Sequence, residues 1–285
     1  MKVVVLGASG TIGRALLPAL ADAGHDVVPV SRRPREGWAV ADVGDAQAVA
    51  RVLAGAEAVV YLVHSLGAAD FEERDRRAAR AVAEEAERAG VRQIVYLGGL
   101  GDDADELSPH LRSRRETERE LASGAVPVTT LRAAVVVGPG SAALESIRAL
   151  VDRLPVMVLP RWGRTPTQPV ALADVVRYLV GVCGLEAAYG RTFDVGGPEV
   201  FTYREMIERV ARLRGRRVRL VEVPVLTPRL SSLWLYLVTP LSASVTRPLV
   251  DGLRNPTVAA DDDIRRLVPF ELTTFDEAAR RALEA

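Results

Sequence analysis

Residues 2–13 read KVVVLGASGTIG, a run of valines that breaks into glycines and opens onto a helical pattern. Branched side chains in series suit a strand buried on both faces. Gly7, Gly10 and Gly13 follow at once with G-x-x-G-x-x-G spacing. Glycine permits a tight strand-to-helix turn and close approach of a ligand to the backbone. The helix start behind it offers unpaired N–H groups and a partial positive charge. In this context the turn predicts a βαβ unit that cradles a dinucleotide pyrophosphate, with Gly7, Ser9, Gly10, Thr11, Ile12 and Gly13 as its contact residues.

The same rhythm continues down the chain. Apolar runs (DVVPV, AVADV, AVVYLV, QIVYLGG, VTTLRAAVVVG) alternate with helical patterns near 11–23, 71–88 and 108–122. Valine-rich strands separated by helices predict a parallel sheet covered on both faces. The expected fold is therefore α/β, a doubly wound parallel Rossmann sheet with a small C-terminal substrate-capping lobe. Residues 1–155 are the expected dinucleotide domain, 170–197 return to its sheet, and 198–285 form the cap. Pro18 predicts a kink in the first helix. Thr274 with Glu277 has the capping-box spacing and predicts the start of the last helix.

Lys+Arg and Asp+Glu both total 37, so no overall basic field favours nucleic acid. Met1-Lys2 and the apolar run resemble the start of a secretory leader, but the run stops at Gly7, and the expected compartment is the cytoplasm. No window approaches the roughly 20 apolar residues of a membrane-spanning helix. The single cysteine, Cys183, lies in YLVGVCGL and reads as a buried helix residue. The stretch LTPRLSSLWLYLVTPL, with Trp234 and Tyr236, carries only Arg229 as a basic group. It suits a pocket wall or a contact with a second copy or another protein better than a lipid surface. Trp162 in PRWGRTP is a candidate wall of a small-molecule pocket.

The second strand ends in VVPVSRRP, where an acidic residue would bond a ribose 2′-hydroxyl. Ser31, Arg32 and Arg33 stand there instead. Two guanidiniums offer charge-assisted bonds to a 2′-phosphate, so NADP(H) is expected in preference to NAD(H).

The glycine turn, Asp42-Val43 after the third strand, YLVHS ending the fourth and FDVGGPEVFTYREM near residue 200 together resemble the short-chain dehydrogenase/reductase superfamily, extended or atypical branch. The stretches LGGLG, HLRSR, LRAAVVVGPGS and LPVMVLPRW are similar to atypical NAD(P)-binding members. The resemblance covers most of the chain. It implies that Asp42 and Val43 contact adenine, and that Leu62, Val63 and His64 line the ribose and nicotinamide side. It also implies Tyr-x-x-x-Lys on the helix after the fifth strand, with a Ser or Thr upstream.

This chain departs from that pattern, because Lys2 is its only lysine. In the matching segment HLRSRRETERELA, His110 stands at the tyrosine position and Arg114 at the lysine position. Residues four apart share a helix face, so the pairing geometry survives. Gly98 and Gly99 stand where the upstream hydroxyl would be. His110 can exchange a proton near neutral pH, and as an imidazolium donor it would slow reduction as pH rises through its pKa. Arg114 can anchor ribose or phosphate but moves no proton. A bystander at the helix start is the other assignment for His110. Tyr96 faces either core or substrate, and His25 lies at the surface. The expected function is an NADP(H)-dependent oxidoreductase of a small, largely apolar carbonyl, enone or quinone-like substrate; the alternative is a non-catalytic NADP(H)-binding redox sensor or scaffold.

Overall fold

The computed structural model describes residues 1–65, 70–102, 106–223 and 251–284. Seven strands form one sheet: β1 (Lys2–Leu6), β2 (Asp26–Ser31), β3 (Ala39–Val40), β4 (Ala58–Tyr61), β5 (Gln93–Gly99), β6 (Val128–Ala133) and a seventh, Thr192–Val195. Their spatial order is β3-β2-β1-β4-β5-β6 and then Thr192–Val195, with every neighbouring pair parallel. The chain reverses its direction of travel across the sheet between β1 and β4. In a doubly wound sheet, ligands bind at the carboxyl ends of the strands beside that reversal.

The valine run is buried from both sides, as its composition requires. Val3 and Val5 pack with α1 (Thr11–Asp22) and α6 (Leu172–Val182) through Leu16, Leu20, Val175 and Leu179. Val4 and Leu6 face the opposite layer, α2 (Ala46–Leu53) and α3 (Phe71–Arg88), through Val49, Leu53, Ala79 and Val82. Alternation along one strand thus feeds two core layers. A third cluster lies outside the sheet, where α5 (Ala142–Arg153), α7 (Tyr203–Leu213) and the last helix, Phe275–Glu284, bury Leu144, Met206, Val210 and Phe275. Helix α1 continues through Pro18 without interruption. Leu16 and Leu20 hold its buried face on either side of the proline, which removes only the amide that would have reached the Arg14 carbonyl. At the start of the last helix only half of the expected box is seen, with the Glu277 amide donating to Thr274 Oγ1 at 3.4 Å. Among the described residues no helix is long and apolar enough to cross a membrane.

Helix α4 (Pro109–Leu121) carries His110 and Arg114, so its seating decides where they point. Ser108 caps it, its Oγ accepting the Leu111 amide at 3.3 Å, and Pro109 occupies the first turn, where no intrahelical donor is needed. Beneath the helix, Arg115 donates to the Gly101 carbonyl at 2.9 Å and to Glu118 at 3.0 Å. Glu118 also accepts both guanidinium arms of Arg132 on β6, at 2.9 and 3.1 Å, and the Thr192 hydroxyl at 3.3 Å. One carboxylate therefore ties α4 to two strands. Removing a partner from a buried ionic cluster leaves uncompensated charge. Glu118→Ala is expected to cost on the order of 3 kcal/mol in urea denaturation. A loss below about 0.5 kcal/mol would mean that α4 is seated by apolar packing alone.

Candidate dinucleotide and substrate site

Gly7 has φ +87°, a conformation that L side chains avoid, and its carbonyl accepts the Gly10 amide at 3.0 Å to close the turn. A Cβ on Gly13 would lie 2.6 Å from the Ala8 Cα and carbonyl oxygen, so only glycine lets α1 approach β1 this closely. A Cβ on Gly7 would press on the Leu62 carbonyl at 3.0 Å and on the Val63 amide at 3.2 Å, which places both residues against the turn. Gly10 differs, since its Cβ would meet only the Gly7 carbonyl, at 3.4 Å. No side chain caps α1, and the amides of its first turn are left for a ligand. A glycine cradle with uncapped amides fits a pyrophosphate.

At the end of β2, Arg32 and Arg33 are exposed, and among the described residues neither forms an ion pair. Ser31 is buried and its hydroxyl donates to the Arg33 carbonyl, so its proton is used inside the turn. Asp42 is exposed and accepts the Gly44 amide at 2.9 Å, while Val43 is buried in the core.

A cavity of about 450 Å³ opens beside the start of α1, bounded by α4, α5 and α7. Thr11, Ile12, His64, His110 and Arg114 line one end. Thr11 Oγ1 donates to the Gly140 carbonyl at 3.2 Å, which draws the start of α1 toward the loop before α5. The Arg114 guanidinium makes a long contact to the Val63 carbonyl at 3.5 Å, and among the described residues no carboxylate pairs with it. His64 is exposed by surface area yet ringed by protein atoms, and that desolvation first, with the Arg114 charge second, holds it down to about 4. Burial, then Arg114, then His64 hold His110 down to about 3. Both shifts favour the neutral imidazole at physiological pH. A cation at His110 would be desolvated beside another cation, which weighs against the imidazolium donor expected there.

A Cβ on Gly99 would come 2.9 Å from Leu111 Cδ2, so glycine lets α4 lie directly on the end of β5. Tyr96 is fully buried and donates to the Arg114 carbonyl at 3.1 Å, which makes it a core residue. Burial likewise pushes the Cys183 thiol up to about 11, leaving it unreactive. His25 is half-buried rather than at the surface, because its turn folds back with the His25 amide donating to the Leu20 carbonyl at 3.1 Å.

The rest of the cavity wall is made by residues that sequence patterns do not single out. Helix α5 contributes Ala142, Ala143, Ser146, Ile147 and Leu150; α7 contributes Tyr203, Met206 and Ile207. Trp162 joins them, edge-on to Tyr203 with ring centroids 6.3 Å apart. In the sequence these positions look like ordinary buried helix faces, and only Trp162 stood out as a wall. Trp234 and Tyr236 lie outside the described residues.

Residues 7–139 match the NAD(P)H-binding family. A (4-alkanoyl-5-oxo-2,5-dihydrofuran-3-yl)methyl phosphate reductase of Streptomyces griseus is 30% identical over 238 residues, spanning 78% of this chain and 77% of that protein. The chain thus belongs to the atypical, NAD(P)H-binding short-chain dehydrogenase/reductases. It is also 26% identical to an Arabidopsis thaliana mitochondrial protein named NADH dehydrogenase [ubiquinone] 1 alpha subcomplex subunit 9, across 77% of the chain and 60% of that protein. Its fold is that of an Escherichia coli NADPH-dependent quinone oxidoreductase solved with NADPH, at a TM-score of 0.80 and 20% identity, covering 99% of this chain and 100% of the other.

The two inner glycines of the turn separate ligand contact from packing. Gly10→Val is expected to keep a folded protein while abolishing dinucleotide binding, because its side chain would project where a pyrophosphate on this turn would lie. Gly13→Val is expected to lower stability by about 1–3 kcal/mol or more through its clash with Ala8. Thermal melts with cofactor titration distinguish the two. Unchanged cofactor affinity in folded Gly10→Val would place the dinucleotide elsewhere.

Proposed function

We propose that this chain is an NADP(H)-dependent reductase of a small, largely apolar enone, carbonyl or quinone-like compound. The convergence of His64, His110 and Arg114 on one end of an otherwise apolar cavity, beside the glycine turn, carries this assignment. The Streptomyces relative supports it, since its name describes reduction of an oxo-dihydrofuran bearing an alkanoyl group.

Bound NADPH supplies a hydride. The uncapped turn holds its pyrophosphate on Ser9, Gly10, Thr11 and Ile12, and Arg32 and Arg33 hold its 2′-phosphate. Asp42 and Val43 border the adenine; Leu62, Val63 and His64 border the ribose and nicotinamide. Arg114 anchors ribose and places a permanent positive charge beside the substrate oxygen. In a water-poor cavity that charge stabilises the anion developing there far more than it would in water. His110 donates a hydrogen bond from its neutral ring N–H to the same oxygen, and the proton that completes reduction arrives from solvent. Among the described residues after 198, Tyr203, Met206, Ile207 and Leu253 border the cavity on the substrate side.

His110→Ala is expected to lower turnover by roughly 10²–10³-fold, the usual loss for one oxyanion donor, while NADPH affinity holds. Arg114→Ala is expected to weaken both NADPH binding and turnover. The sign of the pH dependence follows from the lowered pKa of His110. It stays neutral from about pH 5 to pH 8, so the wild-type rate is level across that window and changes through His110 only near pH 3. A rate that falls as pH rises through about 6.5, and only in the presence of His110, would restore the imidazolium donor.

The Arg32 and Arg33 assignment has its own test. Replacing both with Ala is expected to weaken NADPH far more than NADH, by about 1.5–3 kcal/mol per lost charged hydrogen bond. An unchanged NADPH/NADH preference on titration would remove the phosphate clamp.

A non-catalytic NADP(H)-binding sensor or scaffold is the competing function. The simultaneous loss of tyrosine, lysine and upstream hydroxyl favours it, as does the similarity to a respiratory-complex subunit. Tight NADPH binding without oxidation of NADPH by any of a panel of enones, ketones and quinones would decide for it.

A further inference from the structure

The two ends of the cavity differ in chemistry, and the distance between them follows one helix. Along α5 the lining runs from Ala142 to Leu150 on a single face, about 12 Å of helix at a rise of about 1.5 Å per residue. It begins beside the loop that accepts the Thr11 hydroxyl and ends against Met206 and Trp162. No charged side chain lines that far end among the described residues. Its hydroxyls are already engaged. Ser146 donates to the Ala142 carbonyl at 2.7 Å and Tyr203 bonds to the Thr167 and Thr257 side chains; the Trp162 indole nitrogen has no partner but is buried out of reach of a ligand.

A ligand with polar groups at both ends would leave one of them unpaired in this groove. A compact ring system would leave much of its length unfilled. We infer that the substrate is a linear amphiphile, with a carbonyl head at His110 and Arg114 and a straight hydrocarbon tail laid along α5. The inference rests on the reductase function proposed above and names its substrate class.

The test is calorimetric titration of the NADP⁺-loaded protein with straight-chain 2-alkanones of increasing length, a pairing in which no hydride is available. Affinity is expected to rise about three- to fourfold per methylene and to level off once the tail exceeds about 12 Å. Leu150→Ala should move the plateau to longer chains and Met206→Trp to shorter ones, with NADP⁺ affinity unchanged in both. Affinity independent of length in the wild-type protein would overturn the tail groove, whether or not the variants fold. NADPH oxidation by the matching enones is measured in parallel. Length-dependent binding without oxidation would retain the groove and remove the reductase function. Oxidation of short enones with no length dependence would do the reverse.

Discussion

Everything at this site depends on how closely α1 approaches β1. The missing side chain of Gly13 lets the helix sit on the backbone of Ala8, and the positive φ of Gly7 turns the chain sharply enough to allow it. The first amides of α1 are thereby aimed along the crevice at the reversal of the sheet, where no side chain caps them. Their unmet hydrogen-bonding capacity is a cost to the isolated fold and a ready source of anion affinity. The cavity opens beside them, toward the ends of β4 and β5, where His64 and Gly99 line it. The placement of the chemistry is thus a consequence of backbone packing made at the first turn of the fold.

Electrostatics then decides what the cavity residues can do. Arg114 is half-buried, and among the described residues no carboxylate forms an ion pair with it, although its charge is felt by the buried Asp75. Desolvation first, and that charge second, favour the neutral rings of His64 and His110, since protonating either would set two poorly solvated cations side by side. A neutral imidazole beside a fixed guanidinium is a poor proton source but a good oxyanion site: one donor, one permanent charge, neither requiring reorganisation. The far end contributes by exclusion, because apolar side chains and already bonded hydroxyls leave water little to hold on to.

How far the sequence revealed this varied with the physical signal. Strands and the glycine turn were legible because burial on both faces and steric need leave strong residue patterns, as in Val3–Leu6 and Gly7–Gly13. The pairing of His110 with Arg114 followed from helical spacing, and the structure brings both to one cavity. The protonation state of His110 was not legible, since burial and the nearness of His64 and Arg114 arise only when β4 and α4 pack together. Leu150, Met206 and Ile207 were missed for another reason. A residue that walls a cavity and one that fills a core obey the same apolar periodicity, so only tertiary placement separates them.

The same distinction bears on why the tyrosine and lysine positions changed together. A lysine buried beside a tyrosine works by shifting the pKa of that tyrosine, and either residue alone serves little purpose. Here Gly99 brings α4 onto the end of β5, and the room that an upstream hydroxyl would occupy is taken by Leu111. With no third group to share a proton, a cation that titrates offers no advantage over one that does not. Arginine is such a cation, and its broad guanidinium spans the reach from α4 to the Val63 carbonyl. Histidine in place of tyrosine then keeps a hydrogen-bond donor at the substrate without a buried phenol to ionise. As a pair, a neutral His110 ring and the Arg114 guanidinium suit reactions that need an anion stabilised more than a proton delivered.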